Sequence, residues 1–106
     1  FHILGPTTGR AGGTDGIELR HATPGAGLSV VWGTTLGPGP PAGGCGGLHW
    51  DVADPHPLAT VTADATGSAS LTLAVPASFA GRYLVLQALD TAACELSTRL
   101  AFRYRP

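Results

Sequence analysis

Apolar and polar residues alternate along much of this chain with a period of two, the pattern of strands that bury one face. No stretch free of glycine and proline is long enough and suitably spaced to predict a helix. The run Tyr83–Leu89 is apolar on both faces, which predicts a central strand covered on both sides. The predicted strands lie within residues 17–21, 28–32, 48–52, 61–63, 69–75, 83–89 and 100–104.

Turn residues separate these segments at the spacing of an all-β fold. Asp64–Gly67 joins two of them as a hairpin, because Gly67 can adopt the positive φ that such a turn requires. The pattern predicts an immunoglobulin-like or fibronectin-like antiparallel β-sandwich of about seven strands. We expect a core on the apolar phase of the strands, including Leu28, Val30, Trp32, Leu71, Leu73, Val85, Leu100 and Phe102.

Two segments interrupt the alternation. Leu36–Gly47 is nearly all glycine and proline and is predicted to be an exposed, irregular loop. Gly5–Gly16 is also rich in glycine and is predicted to be flexible. The chain is therefore expected to divide into an N-terminal strand with its linker, residues 1–16, and a sandwich domain, residues 17–106.

The apolar N-terminal segment Phe1–Leu4 has one of two roles in such a fold. It is either the first strand of its own sandwich or a strand added to the sheet edge of a neighbouring copy. We expect the second role, because the linker is longer than a hairpin needs. Arginines on one face of the last strand suit an acidic polymer, a neighbouring subunit or solvent. The predicted assembly interface comprises Phe1, His2, Ile3, Leu4, Arg99, Arg103 and Arg105.

Composition narrows the class of protein. The 106 residues include 16 glycines and 9 prolines, and the net charge is −1. An apolar share of 43% with so little charge argues against a disordered chain, and the absence of a basic footprint argues against nucleic-acid binding. No apolar run is long enough to span a membrane. Because the chain starts at Phe1 without methionine, we expect a processed mature protein or an excised domain.

Cys45 and Cys94 form an even pair in glycine-rich or turn-like surroundings. Two cysteines cannot complete a structural zinc site, which takes four ligands. They are either free buried thiols or the disulfide of an exported protein. We expect the disulfide, which closes a loop of about 50 residues and stabilises the fold by about 4 kcal/mol in the chain-entropy model.

The candidates for binding chemistry are few. His49 and Asp51 share one face of a predicted strand and His56 follows, so these three are weak metal-ligand candidates against a simple turn-forming role. Trp32 and Trp50 are candidates for stacking on sugars, but their phase favours the core. No serine lies in a Gly-x-Ser-x-Gly elbow, and the acids are scattered. We therefore expect no catalytic residue and no cofactor.

Several turns resemble those of a known class of module. The segments His21–Ala26, Ala63–Gly67, Val75–Gly81 and Gln87–Asp90, the last leading to Cys94, are similar to turns of immunoglobulin-like or fibronectin-like β-sandwich modules. Such modules occur in secreted surface proteins of GC-rich bacteria. The resemblance implies export to the cell surface and an immunoglobulin-like fold, and it implies no catalytic residue.

Together these features predict a non-enzymatic extracellular structural protein that assembles with copies of itself into a fibre, filament or sheath. N-terminal strand exchange is the expected link between subunits. The alternative is a binding or spacer module of a larger secreted protein that recognises a glycan or another protein.

Overall fold

The predicted alternation produces a sandwich of two antiparallel sheets. A computed structural model describes all 106 residues, with a short 3-10 turn at Ala77–Phe79. The strands are β1 (His2–Leu4), β2 (Thr14–Arg20), β3 (Gly27–Gly33), β4 (His56–Thr62), β5 (Ala69–Ala74), β6 (Tyr83–Asp90), β7 (Glu95–Leu96) and β8 (Leu100–Arg103). One sheet has the order β1-β2-β5, and the other has the order β4-β3-β6, with both β7 and β8 paired to β6. The predicted all-β fold, an antiparallel β-sandwich, is confirmed.

The main core lies between the two sheets. Ile17 and Leu19 of β2 pack there with Leu28 of β3 and Leu86 of β6, and all four are essentially inaccessible to solvent. Of the core residues predicted from sequence, Leu28, Val30 and Val85 are buried. The other five are only half-buried, because they lie towards the margins of the sheets: Trp32, Leu71, Leu73, Leu100 and Phe102.

A second apolar layer covers the outer face of β6. Val85 and Leu89 are buried there beneath Trp50 and Val52. These two belong to residues 34–55, the covering segment, which links β3 to β4. The prediction of an exposed loop at Leu36–Gly47 is therefore wrong in part, since the segment folds back over the sheet. A strand that is apolar on both faces needs such a cover.

The predicted strand at residues 48–52 is not a strand. The covering segment contains only isolated bridges, Pro41 with His49 and Leu36 with Val52, and its alternating Trp50 and Val52 point at β6. Instead, β4 begins earlier than predicted, at His56.

The N-terminal segment folds back within its own chain. β1 pairs antiparallel with β2, and Ile3 is buried in the core. The expected flexible linker is an ordered loop, because its N–H groups bond to Asp15 and Gly9 accepts a hydrogen bond from Arg105 N. β2 begins at Thr14 and so crosses the expected division at residue 16.

Candidate functional site

The predicted disulfide is present. Cys45 and Cys94 are bonded with a Cα–Cα distance of 5.5 Å, and no cysteine is free. Cys45 is buried in the covering segment, whereas Cys94 lies in the exposed turn between β6 and β7. The bond therefore fastens the covering segment to the sheet that it protects.

The structure does not bring the metal-ligand candidates together, and no three His, Cys, Asp or Glu side chains are grouped to hold an ion. His49 Nδ1 lies 3.0 Å from Gly39 O. The His56 ring is 4.7 Å from that of Trp32. Asp51 Oδ2 accepts a hydrogen bond from Gln87. Each residue has a local structural contact instead.

Gln87 is a buried polar residue that the sequence analysis missed. Its side chain is inaccessible, and Oε1 accepts a hydrogen bond from Asp51 N at 2.9 Å. Nε2 donates to Asp51 Oδ2 at 2.9 Å and to Ser97 O at 3.3 Å. The available signal was one amide within a strand otherwise apolar on both faces. This amide joins the covering segment to β6.

Asp15 organises the N-terminal loop. Its side chain is buried, and its carboxylate accepts four hydrogen bonds of 2.8–3.0 Å. Burial alone would raise the pKa of Asp15, but these bonds favour the charged form and hold the pKa below its ordinary value. The donors are Thr7 Oγ1 and the N–H groups of Thr8, Gly9 and Gly16.

Asp90 has the same role at the opposite end of the sandwich. It is buried at the end of β6 and accepts hydrogen bonds from the N–H groups of Thr23, Ala92 and Ala93. Burial opposes ionisation, yet the backbone donors lower the pKa of Asp90. The carboxylate thus links the β2–β3 turn to the turn after β6.

Two further aspartates close turns at the surface. The Thr34 hydroxyl, at 2.7 Å, and nearby N–H groups lower the pKa of Asp54. The Thr66 hydroxyl, also at 2.7 Å, and N–H groups of the same turn lower the pKa of Asp64. Four of the five aspartates therefore accept hydrogen bonds from loop backbone.

The arginines predicted to share an interface are separated along the molecule. Arg99 follows Thr98, whose N–H donates to Phe1 O. At the other end of β8, Arg103 donates to Gly81 O at 2.6 Å, and Arg105 donates to the Thr8 carbonyl. The ion pairs within the chain are Arg20 with Glu18 and the Phe1 amino group with Glu95.

Of the two tryptophans, Trp50 belongs to the covering segment and is buried against β6, whereas Trp32 is half-buried beside an apolar cleft. The cleft has a volume of about 170 Å³. It lies on the side of the sandwich where the edge strands β4 and β5 contribute Leu58 and Leu73 to its lining. Tyr104 also lines the cleft, and burial together with the charge of Asp15 raises the pKa of its hydroxyl.

Three of the sheet edges have features that prevent pairing with strands of other chains, as is common in natural sheets. β1 is short, and its outward groups are used, since Ile3 N donates to Thr98 Oγ1 and Phe1 O accepts from Thr98 N. β4 contains Pro57 and pairs with β3 across a bulge. β8 ends in the charged Arg103.

The remaining edge, formed by β5, has none of these features. The strand Ala69–Ala74 contains no charged residue and no proline, and it pairs only with β2. Ser70, Thr72 and Ala74 are exposed, while Leu71 and Leu73 are half-buried on the inner face. This six-residue edge is the candidate interaction surface of the molecule.

Comparison with known proteins identifies no relative. No protein-family model, curated protein or solved structure matches the chain. No helix in the structure is long and apolar enough to cross a membrane.

Proposed function

We propose that this chain is a non-catalytic, exported structural subunit that assembles with copies of itself at the cell surface. The observation that carries the proposal is the open edge of β5, which is uncharged and free of proline. Edges of this kind pair with further strands unless such a feature prevents it. In a subunit that assembles, such an edge provides the contact between copies. In a secreted protein that acts as a monomer, the same edge would promote aggregation.

The use of the polar groups supports a structural role. Asp15 and Asp90 are buried and bonded to loop N–H groups, and Gln87 fixes the covering segment. The Cys45–Cys94 disulfide supports export, since such bonds persist in oxidising compartments. These side chains stabilise a small domain by holding its loops in place.

Exchange of β1 between neighbours is a second route to assembly. In this route β1 would make its contacts with β2 of the next subunit rather than with its own. It would first have to release buried Ile3 and both hydrogen bonds to Thr98. Because β5 has no contact to give up, we assign the main contact to β5.

Electron microscopy and light scattering of the oxidised wild-type protein at rising concentration test the proposed function. We expect extended or regular particles and scattering above that of a 10.7 kDa chain. Dispersed monomers at every concentration would rule out the assembly. A variant that lacks residues 1–4 separates the two routes, because it has no β1 to exchange but leaves β5 open.

The apolar cleft favours one alternative, a binding module that accepts an apolar group of a partner. Its volume of about 170 Å³ is close to that of an engineered apolar cavity that binds benzene. An NMR titration with benzene tests this role. Saturable shifts confined to Trp32, Leu58 and Leu73 would support it, and their absence would remove it.

A further inference from the structure

The free backbone groups of β5 can be assigned residue by residue. Val75 N donates to Gly13 O, and Val75 O accepts from Gly12 N, so both groups of Val75 point towards the β2 side. In an antiparallel strand this direction alternates. Leu73 and Leu71 therefore bond to β2, in agreement with the regular register of the pair.

The other residues of β5 point outwards. By the same alternation, the N–H and C=O groups of Ser70, Thr72 and Ala74 face away from β2. None of these groups bonds to a loop or side chain elsewhere in the chain. The edge thus presents three donors and three acceptors in a row.

This row is complementary to itself. When two β5 strands meet antiparallel about a twofold axis at Thr72, Ser70 of each faces Ala74 of the other, and Thr72 faces Thr72. Each of these three residue pairs exchanges two backbone hydrogen bonds, so every outward group of both strands is satisfied. Leu71 then lies opposite Leu73 on the inner face.

Neighbouring registers are poorer. A shift of one residue sets leucines opposite threonines and breaks the separation of apolar and polar faces. An axis at Leu71 would require Ser68, whose carbonyl already accepts from Asp64 N. An axis at Leu73 would require Pro76, which has no N–H.

We infer that β5 pairs with β5 of a second copy about a twofold axis through Thr72. This contact rests on the proposed function, since it supplies the subunit contact that the assembly requires. It joins the two three-stranded sheets into one sheet of order β1-β2-β5-β5-β2-β1. A twofold contact closes on itself, so longer assemblies need a second contact elsewhere.

Cysteine cross-linking tests the register. Paired residues at the axis have Cα atoms about 5.5 Å apart, within the range that a disulfide spans. Thr72→Cys is therefore expected to form a disulfide-linked dimer under mild oxidation. Ser70→Cys is the matched control in the same strand and on the same face. Two copies of that variant would hold the Cα atoms of their cysteines about 14 Å apart, so it should not form a disulfide-linked dimer.

A mixture adds a positive control for the predicted pairing. Ser70→Cys and Ala74→Cys chains should cross-link to one another, although neither links to itself. Peptide mapping establishes that Cys45–Cys94 stays intact in each dimer. Self-linking of Ser70→Cys, or no linking by Thr72→Cys, would overturn the register.

Proline substitution tests the edge independently. Thr72→Pro removes only an outward N–H, so the circular dichroism spectrum should be retained while dimers disappear. Dimers that persist in this folded variant would overturn the inference.

If wild-type filaments form but Thr72→Cys does not cross-link, the proposed function stands and this contact fails. If Thr72→Cys dimers form without larger assemblies, the contact stands and the proposed function fails. A link from Thr72→Cys to Leu4→Cys of another chain would place a neighbour's β1 on this edge and also overturn the inference.

Discussion

Individual carboxylates and glycines set the loops of this sandwich. Asp15 and Asp90 lie in the interior but remain charged, because backbone N–H groups replace the water that they lose. In the sequence they were only two of the scattered acidic residues. Only Thr23 is a distant donor, 67 residues from Asp90, while the other donors lie within eight residues of their aspartate. Alternation within a strand carries no information about bonds to loop backbone, whether near or distant.

Replacing Asp15 by Asn should lower stability by about 1–3 kcal/mol at neutral pH, since an amide is a weaker acceptor for its four donors. The folded-state pKa of Asp15 is depressed, so its contribution exists above the ordinary value of 3.8 and is lost as pH falls through the folded value. Thermal unfolding from neutral to acid pH should therefore show a shallower decline in the variant. Glu18→Gln serves as the exposed control. Equal declines in Asp15→Asn and wild type would contradict the assigned role.

Substitutions at two glycines distinguish the cost of backbone strain from the cost of a steric clash. Gly25 and Gly67 both have positive φ, 76° and 80°, but only at Gly67 would a Cβ approach Ala22 O, at 2.2 Å. Gly25→Ala should cost about 1–2 kcal/mol, the penalty of the left-handed region for an L-residue. Gly67→Ala should cost clearly more in urea unfolding. Equal losses would mean that the close approach to Ala22 is absent.

At the scale of strands and loops, alternation was a good guide where one face meets the core. It predicted β2, β3, β5 and β8, because burial of one face produces a period of two. β6 was predicted instead from a run that is apolar on both faces. Alternation failed at residues 48–52, where alternating side chains pack down on a sheet without joining one. In the true strands and at residues 48–52 alike, the alternation arises because every second residue is buried.

Residues of the predicted core differ in burial, so replacing them with alanine should cost different amounts of folding stability. Leu86 is 1% exposed between the sheets, so Leu86→Ala should cost about 2–5 kcal/mol. Phe102 was expected from sequence to be equally buried. Since Phe102 is only half-buried, Phe102→Ala should cost less than the 3–5 kcal/mol typical of a fully buried phenylalanine. Chemical denaturation of both variants checks this order, and a larger loss for Phe102→Ala would contradict it.

The covering segment should depend on its disulfide. Replacing Cys45 and Cys94 together by serine should cost about 4 kcal/mol in the chain-entropy model. Trp50 of this segment is 7% exposed because it packs against β6, so its fluorescence should shift to the red if the segment loosens before global unfolding. Trp50→Phe in the same background isolates that signal. An unchanged spectrum with unchanged stability would show that Gln87 and apolar packing suffice.

At the scale of the whole molecule, the sequence predicted the class of fold and the disulfide but not the candidate surface. β5 itself was predicted as a strand from its alternation. Its position at an edge depends on strand order, which arises from contacts between distant segments. For the same reason Phe1–Leu4 was expected to pair with a neighbouring copy, whereas β2 and Thr98 of its own chain provide its partners.

The central claim is that the chain associates with itself through β5, and sedimentation velocity over a concentration series tests it most directly. Thr72→Lys places like charges opposite one another across the proposed axis, whereas Thr60→Lys adds the same charge to the exposed edge of β4. We expect reversible, concentration-dependent association for wild type and Thr60→Lys, and a monomer for Thr72→Lys. A single 10.7 kDa species for the wild type at every concentration, or association unaffected by Thr72→Lys, would contradict the account.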